Sequence, residues 1–268
     1  MAYTEWGDPD NPAVLVCVHG LTRNGRDFDF LAQALADRYR VVCPDVSGRG
    51  RSDWLAVKTD YVLPTYAADM VTLIARLDVE TVHWVGISMG GLIGMVVASL
   101  PGSPITRLVL SDVGPVITKA SIARLGDYVG QDPLFPDLAA AEAYIRTISE
   151  PFGALTDAQW RHLTEHSVKA VEGGYRFRYD PGIAESFRDL REAEDDIALW
   201  EIYDRIACPT LLIRGAESDL LLPETAAEMT SRGPRAQLRE IPDVGHAPLL
   251  LDAAQIAVAA EFLLGEGS

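Results

Sequence analysis

Six short apolar runs recur along the chain, at positions 13–19, 39–43, 81–87, 106–111, 209–214 and Gln237–Ile241. Between them lie stretches with helical spacing, around 27–37, 65–77, 89–100, 223–230 and Ala253–Leu264. That alternation predicts βαβ units and a mainly parallel sheet. The runs read as continuously apolar, which suits strands covered by helices on both faces. One interval breaks the pattern. Residues 115–203 show no convincing β run, only helical patterns interrupted by Gly and Pro, and they carry 11 of the chain's 21 aromatic residues. A helical insertion with its own packing and an apolar underside is expected there.

Charge removes two classes of partner. The chain has 268 residues with 23 Lys+Arg against 39 Asp+Glu, a net charge of −16. Nucleic-acid binding requires clustered cations that release counterions, and anionic membrane surfaces attract the same cations. Neither partner is expected. The insertion carries 16 acidic against 9 basic residues, so it is no different from the rest. The first residues lack the basic and apolar segments of a secretory signal. No apolar stretch approaches the roughly 20 residues of a membrane span. Three cysteines, Cys17, Cys43 and Cys208, are spaced unlike any zinc ligand set and read as small core residues. A cytoplasmic location is the corresponding expectation.

The sharpest local motif is Gly86-Ile87-Ser88-Met89-Gly90, placed between a strand and a helix. A G-x-S-x-G in that position forms a tight elbow that lifts a serine hydroxyl above the sheet edge, at a helix N-terminus. Ser88 is therefore the candidate nucleophile, with Gly86 and Gly90 allowing the turn. A serine hydroxyl needs a base. Of five histidines, His246 lies on a loop after the last strand and before the last helix, well placed to reach a strand-tip serine. His83 reads as a satisfied strand histidine. His162 and His166, four apart, could pair on a metal, but no third ligand stands near in sequence and a solvated helix face is expected. For the acid that orients the base, Asp219 is the first choice, beyond the strand at 209–214. Asp112, just after the strand at 106–111, is its rival, and Glu217 a lesser one. The oxyanion of a tetrahedral intermediate needs N–H donors. The backbone amides of Leu21 and Met89 are the candidates, with His19 and Gly20 shaping the loop.

Together these residues resemble the α/β-hydrolase superfamily. The resemblance rests on His19-Gly20, on Pro44-Asp45-Val46-Ser47-Gly48-Arg49-Gly50-Arg51-Ser52, on the Ser88 elbow, on Leu211-Leu212-Ile213-Arg214-Gly215 with Asp219, and on Val244-Gly245-His246. It implies an α/β fold with a mainly parallel twisted sheet, helices on both faces and an inserted helical cap. The catalytic core would span 1–114 and 204–268, and the cap 115–203. A single glycine in the oxyanion loop differs from the Gly-Gly-Gly of one esterase branch. Ser88 in place of Asp disfavours dehalogenase and epoxide hydrolase chemistry. The implied activity is cofactor-independent and metal-independent hydrolysis of a small or medium carboxylic ester or lactone, largely apolar, through an acyl-enzyme on Ser88. The same machinery serves carbon–carbon bond hydrolases of aromatic ring-cleavage products and cofactor-free perhydrolases or haloperoxidases. A non-catalytic ligand receptor on this scaffold would have no need of the acid and base. The sequence leaves the substrate's acyl and alcohol groups and any homo-oligomer open.

Overall fold

The computed structural model describes residues 1–191 and 195–265. Seven strands form one sheet: β1 (Tyr3–Trp6), β2 (Val14–Val18), β3 (Arg40–Pro44), β4 (Val82–Ile87), β5 (Ile105–Ser111), β10 (Thr210–Gly215) and β11 (Gln237–Ile241). Their spatial order is β1-β3-β2-β4-β5-β10-β11, and every pairing is parallel except β1 with β3. Side chains alternate between the faces of a strand. All five residues of β2 and all six of β10 are nonetheless buried, so both faces are covered there. The covering helices are α1 (Asp29–Leu35), α2 (Leu63–Arg76), α3 (Met89–Ala98), α9 (Pro223–Met229) and α10 (Ala253–Leu264). Helix α3 lies across β2, β4 and β5, with α2 against it, while α1 packs on α10.

Two strand readings need correction. The four residues of β1 were not expected as a strand; Tyr-Thr-Glu-Trp carries too short an apolar signal, and its register with β3, Tyr3 opposite Pro44, is set from outside. The run at β11 is not continuously apolar or doubly covered. It is an edge strand whose Gln237, Arg239 and Glu240 are exposed, as suits a protected sheet edge.

Between β5 and β10 none of the described residues joins the main sheet. The chain there forms α4 (Lys119–Gly126), α5 (Leu138–Ile148), α6 (Asp157–Ser167), α7 (Ile183–Arg191) and α8 (Trp200–Tyr203). Contrary to the expectation of no β run, it also holds two antiparallel ribbons, β6 (Val116–Ile117) with β9 (Ile197–Ala198) and β7 (Val168–Val171) with β8 (Gly174–Phe177). The first is too short to show in sequence. The second is a hairpin with a two-residue turn, in which the half-buried Lys169 and Arg176 dilute the apolar signal. Part of the aromatic excess is a single cluster: Phe177 lies 5.4 Å from Phe135, 5.9 Å from Tyr144 and 5.5 Å from Tyr179, ring centre to ring centre.

Polar ties fasten this segment to the sheet domain. Asp180, with only 3% of its side chain exposed, pairs with Lys58 and accepts from the Tyr61 hydroxyl at 2.7 Å. The Arg23 Nη1 donates to Ser167 at 2.9 Å, and Asn24 Nδ2 donates to the His166 carbonyl at 2.9 Å. Losing a buried carboxylate strands its donors. Asp180→Ala is therefore expected to lower unfolding free energy by roughly 2 kcal/mol and to speed proteolytic nicking within 115–203, checked by urea denaturation and limited trypsin digestion.

Candidate active site

Ser88 closes β4 and opens α3 with φ +52° and ψ −119°, a conformation L-residues rarely adopt. The turn holds because neighbouring backbone comes unusually close. A Cβ on Gly86 would lie 2.3 Å from the Gly90 carbonyl oxygen, and one on Gly90 would lie 1.9 Å from that of Val18. No side chain fits at either position, so the G-x-S-x-G pattern has a steric cause. Strain of this kind costs about 1–3 kcal/mol. It is held by the Ser88 N–H donating to the Ser111 carbonyl at 3.0 Å and by the Ser88 carbonyl accepting from Gly91 and Leu92.

The Ser88 Oγ lies 2.9 Å from His246 Nε2, and His246 Nδ1 lies 2.8 Å from Asp112 Oδ2. The imidazole therefore presents Nδ1–H to the carboxylate and a lone pair on Nε2 to the serine. Asp112, and not Asp219, stands against His246, which corrects the first choice of acid. The reason is register. Ser111, at the end of β5, is opposite both Ile87 of β4 and Ile213 of β10, so Asp112 emerges at the centre of the sheet's carboxyl edge. It is fully buried, and besides His246 it accepts from the Gly215 N–H at 2.9 Å and the Ser218 hydroxyl at 2.6 Å. Three donors thus replace water around a buried charge. The loop after β10 turns Ser218 inward instead of its neighbour. Asp219 faces outward, 56% exposed, and pairs with Arg124. Glu217 is also exposed, its N–H bonded to the Val244 carbonyl beside His246.

His19 is fully buried and not within this relay. Its Nε2 accepts from the Val46 N–H at 3.0 Å, so its Nδ1–H donates to the Gly20 carbonyl at 2.7 Å. The Gly20 C=O and the Leu21 N–H share one trans peptide plane and point in opposite directions. Drawing that carbonyl toward His19 therefore aims the Leu21 N–H the other way. The Leu21 carbonyl is fixed in turn by Arg49 Nε at 2.8 Å. Met89 is the first residue of α3, and its N–H belongs to the turn that has no intrahelical acceptor. Arg49 itself is fully buried, over the Tyr66 ring at 4.9 Å, and was not singled out from sequence beyond its motif. Ser218 was missed as well; a polar residue three positions past a buried strand was its only signal.

Two chambers share Ser88 in their walls. One, of about 70 Å³, is lined by Gly20, Arg23, Arg124, Tyr128, Ser167 and His246 among others. The other, of about 260 Å³, is almost wholly apolar, with Met89, Leu92, Val113, Ile122 and Phe187 in its wall. Leu21, Ser88 and Leu125 belong to both.

The remaining sequence candidates sit elsewhere. His83 Nδ1 meets the Tyr39 hydroxyl at 2.8 Å. Cys17 and Cys43 are buried, Cys208 partly so, and all three are free thiols. His162 and His166 are not on a solvated face. They lie at the seam with α1, His162 bonded to the Arg26 carbonyl at 2.9 Å and stacked edge-on to Phe30. Asp29 comes within 3.6 Å of His162, and one atom of each of the three lies within 4.8 Å of the others. Both Asp29 oxygens are taken by Arg26.

A family model described as alpha/beta hydrolase fold matches residues 13–253. The chain belongs to that family and is a hydrolase. A 3-hydroxybutyrate-oligomer hydrolase of Cupriavidus necator is 53% identical over 272 residues, covering 99% of this chain and 93% of its own. A 2-(acetamidomethylene)succinate hydrolase of Mesorhizobium japonicum is 27% identical over 237 residues, or 87% and 81% of the two chains. Among solved structures, an alpha/beta hydrolase from Novosphingobium aromaticivorans superimposes with a TM-score of 0.87 at 35% identity, covering 98% and 93%.

Two outcomes are expected from this geometry. Asp112→Asn should lower kcat on p-nitrophenyl butyrate by about 10³- to 10⁴-fold, whereas Asp219→Asn should leave it within about tenfold; steady-state kinetics decide. Burial pushes the His19 pKa down from 6.5 to about 4. Below 6.5 the unfolded chain takes up a proton that the folded site refuses, so this contribution is intact above pH 6.5 and is lost as pH falls toward 4. About 3 kcal/mol should go over that window. Urea denaturation at stepped pH measures it, and His19→Gln should flatten the profile.

Proposed function

We propose that the protein hydrolyses carboxylic esters through an acyl-enzyme on Ser88, and that its substrates are short oligomers of 3-hydroxybutyrate. The observation that carries the chemistry is the relay from Ser88 Oγ to His246 Nε2, and from His246 Nδ1 to Asp112, at 2.9 and 2.8 Å. The relative at 53% identity over 99% of this chain supports the choice of substrate.

In this reading Ser88 Oγ attacks the ester carbonyl carbon while His246 Nε2 takes its proton. Asp112 keeps the imidazole in the right tautomer and stabilises the imidazolium. The Leu21 and Met89 amides receive the oxyanion. Collapse breaks the carbon–oxygen bond, and His246 returns the proton to the leaving alkoxide. Water, deprotonated by the same nitrogen, then releases the acid and restores Ser88. Residues 115–203 act as a cap that closes both chambers over the serine. The partner is a small molecule. Among the described residues no helix is long and apolar enough to cross a membrane.

The test uses 3-hydroxybutyrate dimer and trimer together with p-nitrophenyl butyrate. Wild-type protein should hydrolyse all three and be labelled by a fluorophosphonate. Ser88→Ala should lose about 10⁴-fold or more in kcat and all labelling. Turnover that survives in Ser88→Ala would overturn the reading.

A further inference from the structure

The chain carries a net charge of −16, yet the walls around Ser88 show the opposite bias. Arg23 and Arg124 are the only Lys, Arg, Asp or Glu residues among the described lining of the polar chamber, and the apolar chamber has none. In an acidic protein, a cavity with arginines and no carboxylates is built for a negatively charged guest.

The two arginines differ in what they have to spare. Arg23 gives Nε and Nη2 to Asp27 at 2.8 and 2.7 Å and Nη1 to Ser167 at 2.9 Å. Its partner Asp27 is 2% exposed, so breaking that pair would leave a buried charge. Arg124 has a single aligned bond, Nη2 to Asp219 Oδ1 at 3.1 Å; its Nε lies 2.8 Å from Oδ2, out of line for a hydrogen bond and shielded from solvent. Asp219 is 56% exposed and can return to water at little cost. Arg124 is the guanidinium free to take a second carboxylate, with its planar fork suited to two parallel bonds.

The chambers also fix which half of an ester reaches it. His246, which must return the proton to the leaving alcohol, lines the polar chamber and not the apolar one, while Met89 lines only the apolar one. The leaving alcohol therefore lies on the Arg124 side and the acyl chain beside Met89 and Leu92. Helix α4 bridges the two, with Arg124 facing one chamber and Ile122 the other.

We infer that Arg124 binds a carboxylate on the leaving alcohol, so that the enzyme removes hydroxy-acid units one at a time from the free-carboxylate end of its substrate. This rests on the ester-hydrolase reading and adds direction and charge selectivity to it.

The experiment compares 3-hydroxybutyrate dimer with its methyl ester, following cleavage of the internal ester. Wild type should favour the free acid by at least about tenfold in kcat/KM. Arg124→Gln should bring that preference to within about threefold of parity, chiefly through KM, and Arg124→Lys should keep part of it. A trimer whose hydroxyl end is acetylated should release 3-hydroxybutyrate as its first product. Equal rates on acid and methyl ester, an unchanged preference in Arg124→Gln, or release of acetylated monomer first would each overturn the inference. The comparison of wild-type acid, methyl ester and blocked trimer needs no variant to fold. Failure to cleave either dimer or p-nitrophenyl butyrate would sink the ester-hydrolase reading itself; an active enzyme without acid preference sinks only the role of Arg124.

Discussion

The contact on which the site depends is the approach of Gly90 to the Val18 carbonyl, so close that a single added carbon would sit 1.9 Å from oxygen. It seats α3 deep against β2 and β4 and forces the chain through a left-handed turn at Ser88. From that turn follow the exposed hydroxyl, the Met89 amide at the first turn of α3, and the adjacency of the His19 loop that ends β2. A shallower seat for α3 would relax the serine and separate it from the loop that faces it.

Around this turn the protein replaces water with fixed donors. Asp112 is surrounded by an amide, a hydroxyl and an imidazole; the Gly20 carbonyl is drawn back by a neutral histidine; the Leu21 carbonyl is held by a buried guanidinium. Each group is thus fixed in orientation by the fold itself, the condition for stabilising charge with little reorganisation. Buried carboxylates such as Asp27, Asp45 and Asp112 are kept out of the lining of the polar chamber, whose charged residues are Arg23 and Arg124.

The parts legible in sequence were those with a local steric or topological cause. Gly86 and Gly90 announce the elbow because nothing else fits there, and the loop of His246 follows the last strand in a predictable place. The candidate acid was ambiguous for a physical reason. Both Asp112 and Asp219 follow strand tips in the same order, and only the pairing of Ser111 with strands on both sides puts one of them under the imidazole. Which residue of the 216–222 loop turns inward, Ser218 or Asp219, depends on a partner a hundred residues away. His162 and His166 looked like an exposed pair because the surface that covers them, α1 and its preceding turn, lies far back in the chain. The ribbons of the inserted segment were hidden by brevity and by the cations Lys169 and Arg176 within the strands.

One backbone bond binds the two regions at a sensitive point. The Gly245 N–H, next to the histidine, donates to the Pro151 carbonyl of the inserted segment at 2.7 Å. The loop of His246 is thereby anchored by the inserted segment as well as by the sheet. Any exchange of this segment between family members, whether by recombination in evolution or by grafting in the laboratory, carries a hidden coupling: the incoming segment must also supply a carbonyl at this place, or the loop of His246 loses one of its supports. At Pro151 the packing of the inserted segment and the placement of His246 are inherited together.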